Sequence, residues 1–444
     1  MIKSEPNITV GILDYVPEVR GALLEKFKIA EDVIVTGEFF AKVISNEVVL
    51  YGGKDIELLR GKEIIFSPLN TGKFTLRDVV FGINFHWERK EDQTFEGALR
   101  LIARHNGTIT AINDIAVEKY LASVISSEMS ATAPVELLRA HAITSRSWLV
   151  AMLEMKKKNS TVSVPSRRSV GKKNEVIRWY DREDHDIFDV CADDHCQRYQ
   201  GISKIISEAA QKAIDDTRGT FLVYKNEICD ARFSKSCGGV SERFESAWAN
   251  TPIDYLTCVP CSHTSYPALK TEEESTQWIL STPPAFCNTT DGNILRQILP
   301  SFDQETTDFY RWKVEYTNQE LSELILKKSG FDFGILQDLI PVERGDSGRV
   351  TKLKIIGSKK TLIVGKELEI RRWLSKSHLY SSAFVVQTER DANGIPGKFI
   401  LRGAGWGHGV GFCQIGAAVM AVEGWKGEDI VKHYFKGAEL KKVY

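Results

Sequence analysis

The sequence predicts an α+β fold in which β-rich segments flank a helical section. Three observations predict it. Apolar and β-branched runs dominate residues 7–112, apolar residues recur at helical spacing in 114–155, and β segments alternate with one helix, 319–328, between 312 and 402. Strands and helices that occur in separate runs, rather than in regular alternation, are typical of α+β proteins.

The same pattern divides the chain into four segments. A length of 444 residues is long for one ordinary domain and suits two lobes or one elaborated fold. A stretch rich in Cys, Ser, Thr and Pro separates the helical section from the last β-rich part. We therefore expect 1–112 (β-rich), 113–257 (helical, with most of the candidate chemistry), 258–305 (an insertion) and 306–444 (β-rich).

Composition excludes several classes of function. The 58 Lys and Arg residues balance 59 Asp and Glu residues, which gives a net charge of −1 and no electrostatic argument for nucleic acid or an anionic membrane. The basic stretch 156–177 lacks interleaved aromatic residues and is interpreted as a solvated loop. No apolar run of membrane-spanning length occurs, so no transmembrane segment is expected. Residues 1–6 contain no apolar signal-peptide core; either a signal was removed or the protein is not exported by that route.

The N-terminal part is predicted to be built from strands around a helix. Within residues 7–51, the runs 8–13, 32–36 and 48–51 are apolar or β-branched, as strands are, and β character continues over 60–112. Further along, 204–217 is predicted to be a helix and 219–234 to be strands.

The helical section carries the first candidate catalytic residue. Val117, Leu121 and Val124 form an apolar stripe that helical spacing extends to Glu128. Asp114 is expected to cap this helix, and the next helix to begin near Pro134. Burial and the negative end of the helix dipole should both raise the pKa of Glu128, as a general acid requires. The alternative is a structural ion pair with Arg139 or Arg146.

A cluster of histidines and cysteines forms the second candidate site. His185, Cys191, His195 and Cys196 lie within twelve residues. Structural zinc is commonly held by a tetrahedron of thiolates and imidazoles, so we expect zinc at this cluster, in a structural or a substrate-facing role. The alternative is a Cys191–Cys196 disulfide with two incidental histidines.

Three further stretches stand out. Ser236, Gly238 and Gly239 are predicted to form a tight turn, which either brings backbone amides near a ligand or is only a turn. Trp248 could stack on a sugar ring or pack in the core. The Cys258-x-x-Cys261 pair could be a redox pair, a disulfide or half of a second metal site with His263 and Cys287.

A glycine-rich turn at 403–411 presents His408 on a constrained loop before a last helix near 412–423. Gly-Lys-Ser/Thr does not follow, which argues against a phosphate loop. The glycines indicate that this backbone is held close to something, so His408 is either a structural histidine or part of a functional pocket.

These motifs together resemble the SpoIID/LytB family of sporulation proteins and amidase enhancers. The resemblance covers roughly residues 7–440. It rests on the block from Gly405 to Ala417, on Val117 to Met129, on the helix from Arg139 to Ser147, and on Ser236 to Gly239 followed by Glu245 and Trp248. His141, Cys237 and Cys413 depart from the family's usual residues.

The resemblance implies a lytic transglycosylase that cleaves the β-1,4 bond between MurNAc and GlcNAc in peptidoglycan, on glycan lacking stem peptides. It implies Glu128 as catalytic acid and base and zinc at the 185–196 cluster. A groove between the lobes would hold the glycan strand. The residues expected to line it are Arg146, Ser236, Gly238, Gly239, Trp248, His408 and Gln414.

Two other functions stay open at this point. One is a non-catalytic module that binds and enhances a cell-wall amidase, and the other is a zinc-dependent hydrolase with an open coordination position at the 185–196 cluster. A glycan substrate predicts the cell envelope or periplasm, whereas the missing signal leaves a cytoplasmic location open.

Overall fold

A computed structural model describes residues 2–83, 88–159, 169–172, 174–180, 185–266, 268–269, 271–299, 304 and 306–444. These residues mix strands and helices, which confirms the α+β prediction. They form two compact units. The first contains 1–138, 184–220 and 442–444, and the second contains 139–183 and 221–441. The division into the four segments 1–112, 113–257, 258–305 and 306–444 stays a prediction.

Strands and helices are numbered in chain order. The strands are β1 Asn7–Val16, β2 Glu18–Ala30, β3 Val33–Ile44, β4 Glu47–Tyr51, β5 Glu57–Gly61, β6 Glu63–Pro68, β7 Phe74–Phe81, β8 Arg89–Phe95, β9 Ala98–Ala103, β10 Ile109–Ala116, β11 Ser169–Lys172, β12 Glu175–Arg178, β13 Val190–Cys191, β14 Thr220–Tyr224, β15 Glu227–Ile228, β16 Phe233–Ser234, β17 Arg311–Thr317, β18 Leu336–Arg344, β19 Val350–Gly357, β20 Thr361–Gly365, β21 Phe384–Arg390, β22 Pro396–Ala404, β23 Phe412–Cys413 and β24 Glu439–Lys442. The α-helices are α1 Val117–Glu128, α2 Val135–Asn159, α3 Glu208–Thr217, α4 Phe244–Ala247, α5 Glu272–Leu280, α6 Gly292–Ile298, α7 Asn318–Ser329, α8 Glu367–Trp373, α9 Gln414–Val422 and α10 Gly427–Tyr434.

The first unit is built on a mainly antiparallel sheet. Its order in the described part of the chain is β13-β1-β10-β9-β6-β2-β3-β4-β5, with β7 pairing with β2 and β8. The helix expected within residues 7–51 is wrong, because β2 runs through Glu18–Ala30. In Lys26-Phe27-Lys28-Ile29, charged and buried apolar side chains alternate with the period of a strand, which explains the difference.

Helix α1 follows directly from strand β10. The capping role expected of Asp114 is wrong: Asp114 pairs with Ala98 inside the sheet, and Ala116 occupies the N-cap. The hydrogen bonding between β10 and β1 is followed by one more bond at the start of α1, where Val117 N–H donates to Pro6 O at 3.0 Å. Helix α2 begins at Val135, beside Pro134 as predicted, and α3 is capped by Ser207.

The second unit contains several smaller sheets in the part that the structure describes. One has the order β11-β12-β20-β19-β18, and a second has the order β17-β22-β21. The strands β15-β14-β24 form a third sheet, and β16 pairs in parallel with β23. Trp312, Leu353, Trp373 and Phe399 belong to the buried core around the first two sheets.

The helices of the second unit partly match the predictions. The predicted helices 319–328 and 412–423 correspond to α7 and α9, and Thr317 and Glu320 form a capping box at the start of α7. The expectation of one helix between 312 and 402 is wrong because α8 is also present. The predicted irregular segment 258–305 contains α5 and α6.

The described residues of the basic stretch 156–177 lie mostly in regular structure rather than in the predicted loop. Helix α2 continues to Asn159, β11 covers Ser169–Lys172 and β12 begins at Glu175. Arg167, Arg168 and Lys173, on which the loop interpretation also depended, lie outside the described residues. None of the helices in the described ranges has the length and hydropathy needed to cross a bilayer.

Candidate active site and metal-binding clusters

Glu128 is the last residue of helix α1 in the first unit. Its side chain is 8% exposed, and the residues from Tyr120 to Ser127 are all buried. The apolar spacing that placed a carboxyl group at the buried C-terminal end of this helix therefore agrees with the structure. Met129 follows in an extended conformation, which ends the helix at the carboxyl group.

A backbone amide fixes one oxygen of this carboxyl group. Arg198 N–H donates to Glu128 Oε1 at 3.0 Å, although the two residues are 70 positions apart. The Arg198 guanidinium pairs with Asp194 at 2.6 Å, and Tyr199 O–H donates to Asn113 Oδ1 of β10 at 2.6 Å. The segment around Arg198 is therefore held on both sides, so that its amide keeps the carboxyl group in one orientation.

The His/Cys cluster lies just before Arg198 in the same unit. His185 Nε2 is 3.3 Å from Cys196 Sγ, and His195 Nδ1 is 3.5 Å from Cys196 Sγ and 3.9 Å from Cys191 Sγ. In a tetrahedral zinc site, Zn–S and Zn–N bonds of roughly 2.3 and 2.05 Å put such S and N atoms about 3.6 Å apart. The four residues therefore fit the donor set and the spacing of a single metal ion.

Carboxylates anchor the cluster to the large sheet. Asp189 Oδ2 accepts from Thr9 N–H and O–H, both at 2.9 Å, and Asp193 accepts from the amides of Gly82 and Ile83. Asp186 pairs with the Arg104 guanidinium at 2.8 Å, which holds the pKa of Asp186 below its usual range. The cluster thus sits on a fixed loop rather than on a free one.

A cavity of about 350 Å³ lies beside the N-terminal half of α1. It is lined by residues that include Glu96, Glu118, Lys119 and Arg218. Glu118 is itself 3% exposed and accepts from Tyr444 O–H at 2.7 Å and from Gly219 N–H at 3.2 Å. Helix α1 therefore carries two buried carboxyl groups, those of Glu118 and Glu128.

In the second unit, the turn 236–239 and the glycine-rich loop 403–411 run backbone against backbone. Ser236 N–H donates to Trp406 O at 3.0 Å and Trp406 N–H to Ser236 O at 2.8 Å. A Cβ atom on Gly238, whose φ is +80°, would lie 2.8 Å from Gly405 N. These glycines are thus required by the approach of one segment to another and by left-handed backbone.

His408 is held in the neutral form at the centre of this loop. Its Nδ1 accepts from Val410 N–H at 3.0 Å, and its ring meets Trp248 edge-on at 4.8 Å between centroids. Burial, reinforced by the nearby positive charges of Arg232 and Arg349, holds the pKa of His408 well below its usual range. Trp248 also carries the Arg232 guanidinium over its face at 4.4 Å.

The other predicted site residues of this unit are deeply buried. Arg146 and Ser236 have no exposed surface, and Gln414, the first residue of α9, is 2% exposed. The Gln414 amide lies 3.2 Å from His141 Nε2. Burial lowers the pKa of His141 to about 3, so His141 is neutral and accepts this bond.

Arg349 joins the two loops, although no motif in the sequence predicts this role. This fully buried guanidinium donates to Cys237 O at 3.2 Å and to Gly407 O at 3.3 Å. It also donates to Ser347 Oγ at 2.9 Å, whose hydroxyl donates to the buried carboxylate of Glu242 at 2.7 Å. A Cβ atom on Gly409 would lie 2.2 Å from the guanidinium carbon, which explains the glycine there.

The second predicted metal site is corrected by the structure. Cys258 Sγ points to Asp346 O at 3.8 Å, and His263 pairs with Glu423 at 3.1 Å. Cys261 and Cys287 instead join Cys237 and Cys413, and all four Sγ atoms lie within 4.8 Å of one another. None of the eight cysteines forms a disulfide, so neither the Cys258–Cys261 nor the Cys191–Cys196 disulfide is present.

Comparison with known proteins matches this chain to a family of sporulation proteins. The family model described as stage II sporulation protein, SpoIID, matches residues 105–224, which include Glu128, Arg146 and the whole 185–196 cluster. Stage II sporulation protein D of Bacillus amyloliquefaciens is 24% identical over 334 residues, which is 75% of this chain and 76% of the relative. These matches support the SpoIID/LytB family for this chain.

Other relatives support the same family. Stage II sporulation protein D of Bacillus subtilis is 24% identical over 338 residues, or 75% of this chain and 76% of the relative. The amidase enhancer of the same organism is 24% identical over 248 residues, which cover 52% of this chain but only 32% of that protein. A model described as a domain of unknown function, DUF8618, matches residues 242–411.

The SpoIID family model covers the segment that carries Glu128. The family model ends before the turn 236–239, the glycine-rich loop and the four-cysteine cluster. Three of the four clustered cysteines, Cys237, Cys287 and Cys413, are far apart in sequence, and only their contact in the fold connects them.

Proposed function

We propose that this protein cleaves the glycan backbone of peptidoglycan as a lytic transglycosylase. The observation that carries the proposal is the Glu128 carboxyl group, buried at the end of α1 and oriented by Arg198 N–H. The similarity to a stage II sporulation protein and to an amidase enhancer supports a cell-wall substrate.

One carboxyl group is sufficient for the proposed reaction. Protonated Glu128 donates its proton to the glycosidic oxygen between MurNAc and GlcNAc, and the C1–O bond breaks. The resulting carboxylate takes the proton of the MurNAc C6 hydroxyl, whose oxygen bonds to C1 and closes a 1,6-anhydro ring. Hydrolytic glycosidases need a second carboxylate because their nucleophile is water or the enzyme itself. Here the nucleophile belongs to the substrate.

A zinc ion is proposed at His185, Cys191, His195 and Cys196. These four protein ligands would fill a tetrahedral donor set, so a bound zinc would supply rigidity rather than an activated water. That disfavours the zinc-hydrolase alternative. The ion would fix the loop that ends at Arg198, whose amide orients Glu128.

In the second unit, some of the residues expected to line the glycan site are partly exposed and others are buried. Trp248 and His408 are partly exposed, so they are the residues of this set proposed to contact the glycan. Arg146, Ser236 and Gln414 are buried and would position their neighbours rather than contact the glycan. Gly238 and Gly239 contribute the turn itself.

The amidase enhancer relative supports a second candidate function. A module of this fold that binds a cell-wall amidase and glycan, without cutting the glycan, would need neither a protonated Glu128 nor turnover. Both candidate functions place the protein at the cell envelope, with peptidoglycan strands as the common partner and an amidase as the partner specific to the second.

Product chemistry separates these functions. Purified protein is incubated with glycan strands stripped of stem peptides, and the new chain ends are identified by mass spectrometry. Ends that carry 1,6-anhydroMurNAc support the proposed reaction. Reducing ends would indicate a hydrolase, and the absence of new ends together with stimulation of a cell-wall amidase would support the enhancer function.

A further inference from the structure

The second unit contains four buried cysteines that come from four separate chain segments. Cys237 lies in the turn 236–239, Cys261 follows the bridge between Val240 and Pro260, Cys287 lies between α5 and α6, and Cys413 caps α9. Their exposed fractions are at most 2%. One shared ligand would explain why four separate segments place their thiols together in the core.

The spacing of the sulfur atoms matches a tetrahedron around one ion. All four Sγ atoms lie within 4.8 Å of one another, and Cys237 Sγ is 3.7 Å from Cys287 Sγ. Zn–S bonds of roughly 2.3 Å put the sulfurs of a tetrahedral site about 3.8 Å apart. An iron–sulfur cluster places several iron and sulfide atoms between its cysteines and so needs a wider cage than this one.

Hydrogen-bond donors around the cluster suit thiolates. Cys237 N–H donates to Cys413 Sγ at 3.3 Å, and the Tyr434 hydroxyl lies 3.2 Å from Cys261 Sγ. Such outer contacts orient metal-bound cysteines and offset their charge. The cluster is closely packed, because a Cβ atom on Gly416 would lie 2.4 Å from Cys261 Sγ and 3.3 Å from Cys413 Sγ.

We propose that Cys237, Cys261, Cys287 and Cys413 bind one zinc ion as a closed structural site, separate from the 185–196 cluster. Soft thiolates in a tetrahedral S₄ set select zinc among the common divalent ions. The ion ties the segment with α5 and α6 to the turn 236–239 and to the start of α9. This proposal does not depend on the glycan-cleaving function.

The experiment measures zinc at the four-cysteine site in a protein whose 185–196 cluster has lost both of its cysteines. In the Cys191→Ser/Cys196→Ser variant of the full chain, we expect about one zinc ion per chain, with a first shell of sulfur alone near 2.3 Å in X-ray absorption. Adding Cys258→Ser should change neither result, because Cys258 Sγ points to Asp346 O instead. Adding Cys287→Ser should abolish the remaining zinc.

The unmodified protein provides a measurement that does not depend on any variant folding. With both sites filled, we expect about two zinc ions per chain and an average shell of three sulfurs to one nitrogen. A Cys191→Ser/Cys196→Ser protein without metal after incubation with zinc, a nitrogen in its shell, iron in place of zinc, or disulfides among the four cysteines would overturn the proposal.

Discussion

At the residue scale, the protein buries several groups whose chemistry depends on what surrounds them. The position of Glu128 could be predicted because apolar spacing along one helix is a local signal. The raised pKa expected for Glu128 stays a prediction. Partners from distant segments, such as Arg198 N–H, could not be predicted, since 70 residues separate the two groups.

His141 is expected to make stability depend on pH. Its pKa is about 3 in the folded protein, below the ordinary value of 6.5, so the unfolded chain binds a proton first as pH falls. Stability is therefore complete above pH 6.5 and declines between pH 6.5 and 3. From pH 7 to 4.5 this group should cost about 2 kcal/mol.

The His141→Gln variant tests this expectation by urea unfolding at pH 7 and 4.5. Gln keeps a side chain able to bond Gln414 but cannot take up a proton, so it should lose about 2 kcal/mol less stability than the unmodified protein between the two values. His105→Gln, at an exposed position, is the control and should keep the original dependence. An equal loss in all three proteins would contradict the prediction.

At the element scale, helices with strong local signals were predicted and loop contacts were not. The expected helix 319–328 is observed as α7, Asn318–Ser329, because a capping box and a C-terminal glycine mark both ends. The helix expected in residues 7–51 is a strand, since its pairing with β3 decides its conformation. The contact between the turn 236–239 and the loop 403–411 depends on tertiary structure alone.

Arg349 should be the residue that holds these two loops together. Arg349→Met removes the donors to Cys237 O and Gly407 O and leaves the Glu242 carboxylate without its nearby cation. We expect a loss of about 3 kcal/mol in the free energy of unfolding, as for other broken buried charge networks. The measurement is the urea midpoint.

The control for Arg349 is Arg60→Met. Arg60 pairs with Glu57 through two short hydrogen bonds but on the exposed surface, where water and salt weaken ion pairs. Its replacement should leave the midpoint almost unchanged. If Arg349→Met unfolds at the same urea concentration as Arg60→Met, the two loops do not depend on the buried guanidinium.

At the scale of the whole molecule, the α+β class and the family could be predicted from the order of elements and motifs. The arrangement of the cysteines could not. Cys258 and Cys261 suggested a local pair, yet the fold separates them and joins Cys261 to three residues from other segments. Metal sites assembled from distant residues give no spacing pattern, unlike the compact 185–196 cluster.

The central claim is that Glu128 performs the chemistry, and its most direct test compares two carboxyl groups on one helix. The rate of anhydro-end formation from denuded glycan is measured for Glu128→Gln and for Glu118→Gln, both buried on α1. Glu128→Gln should lose at least about 10²-fold in rate, because an amide cannot transfer the proton. Glu118→Gln keeps an oxygen that can accept from Tyr444 and should retain most activity. Full turnover by Glu128→Gln would contradict the account.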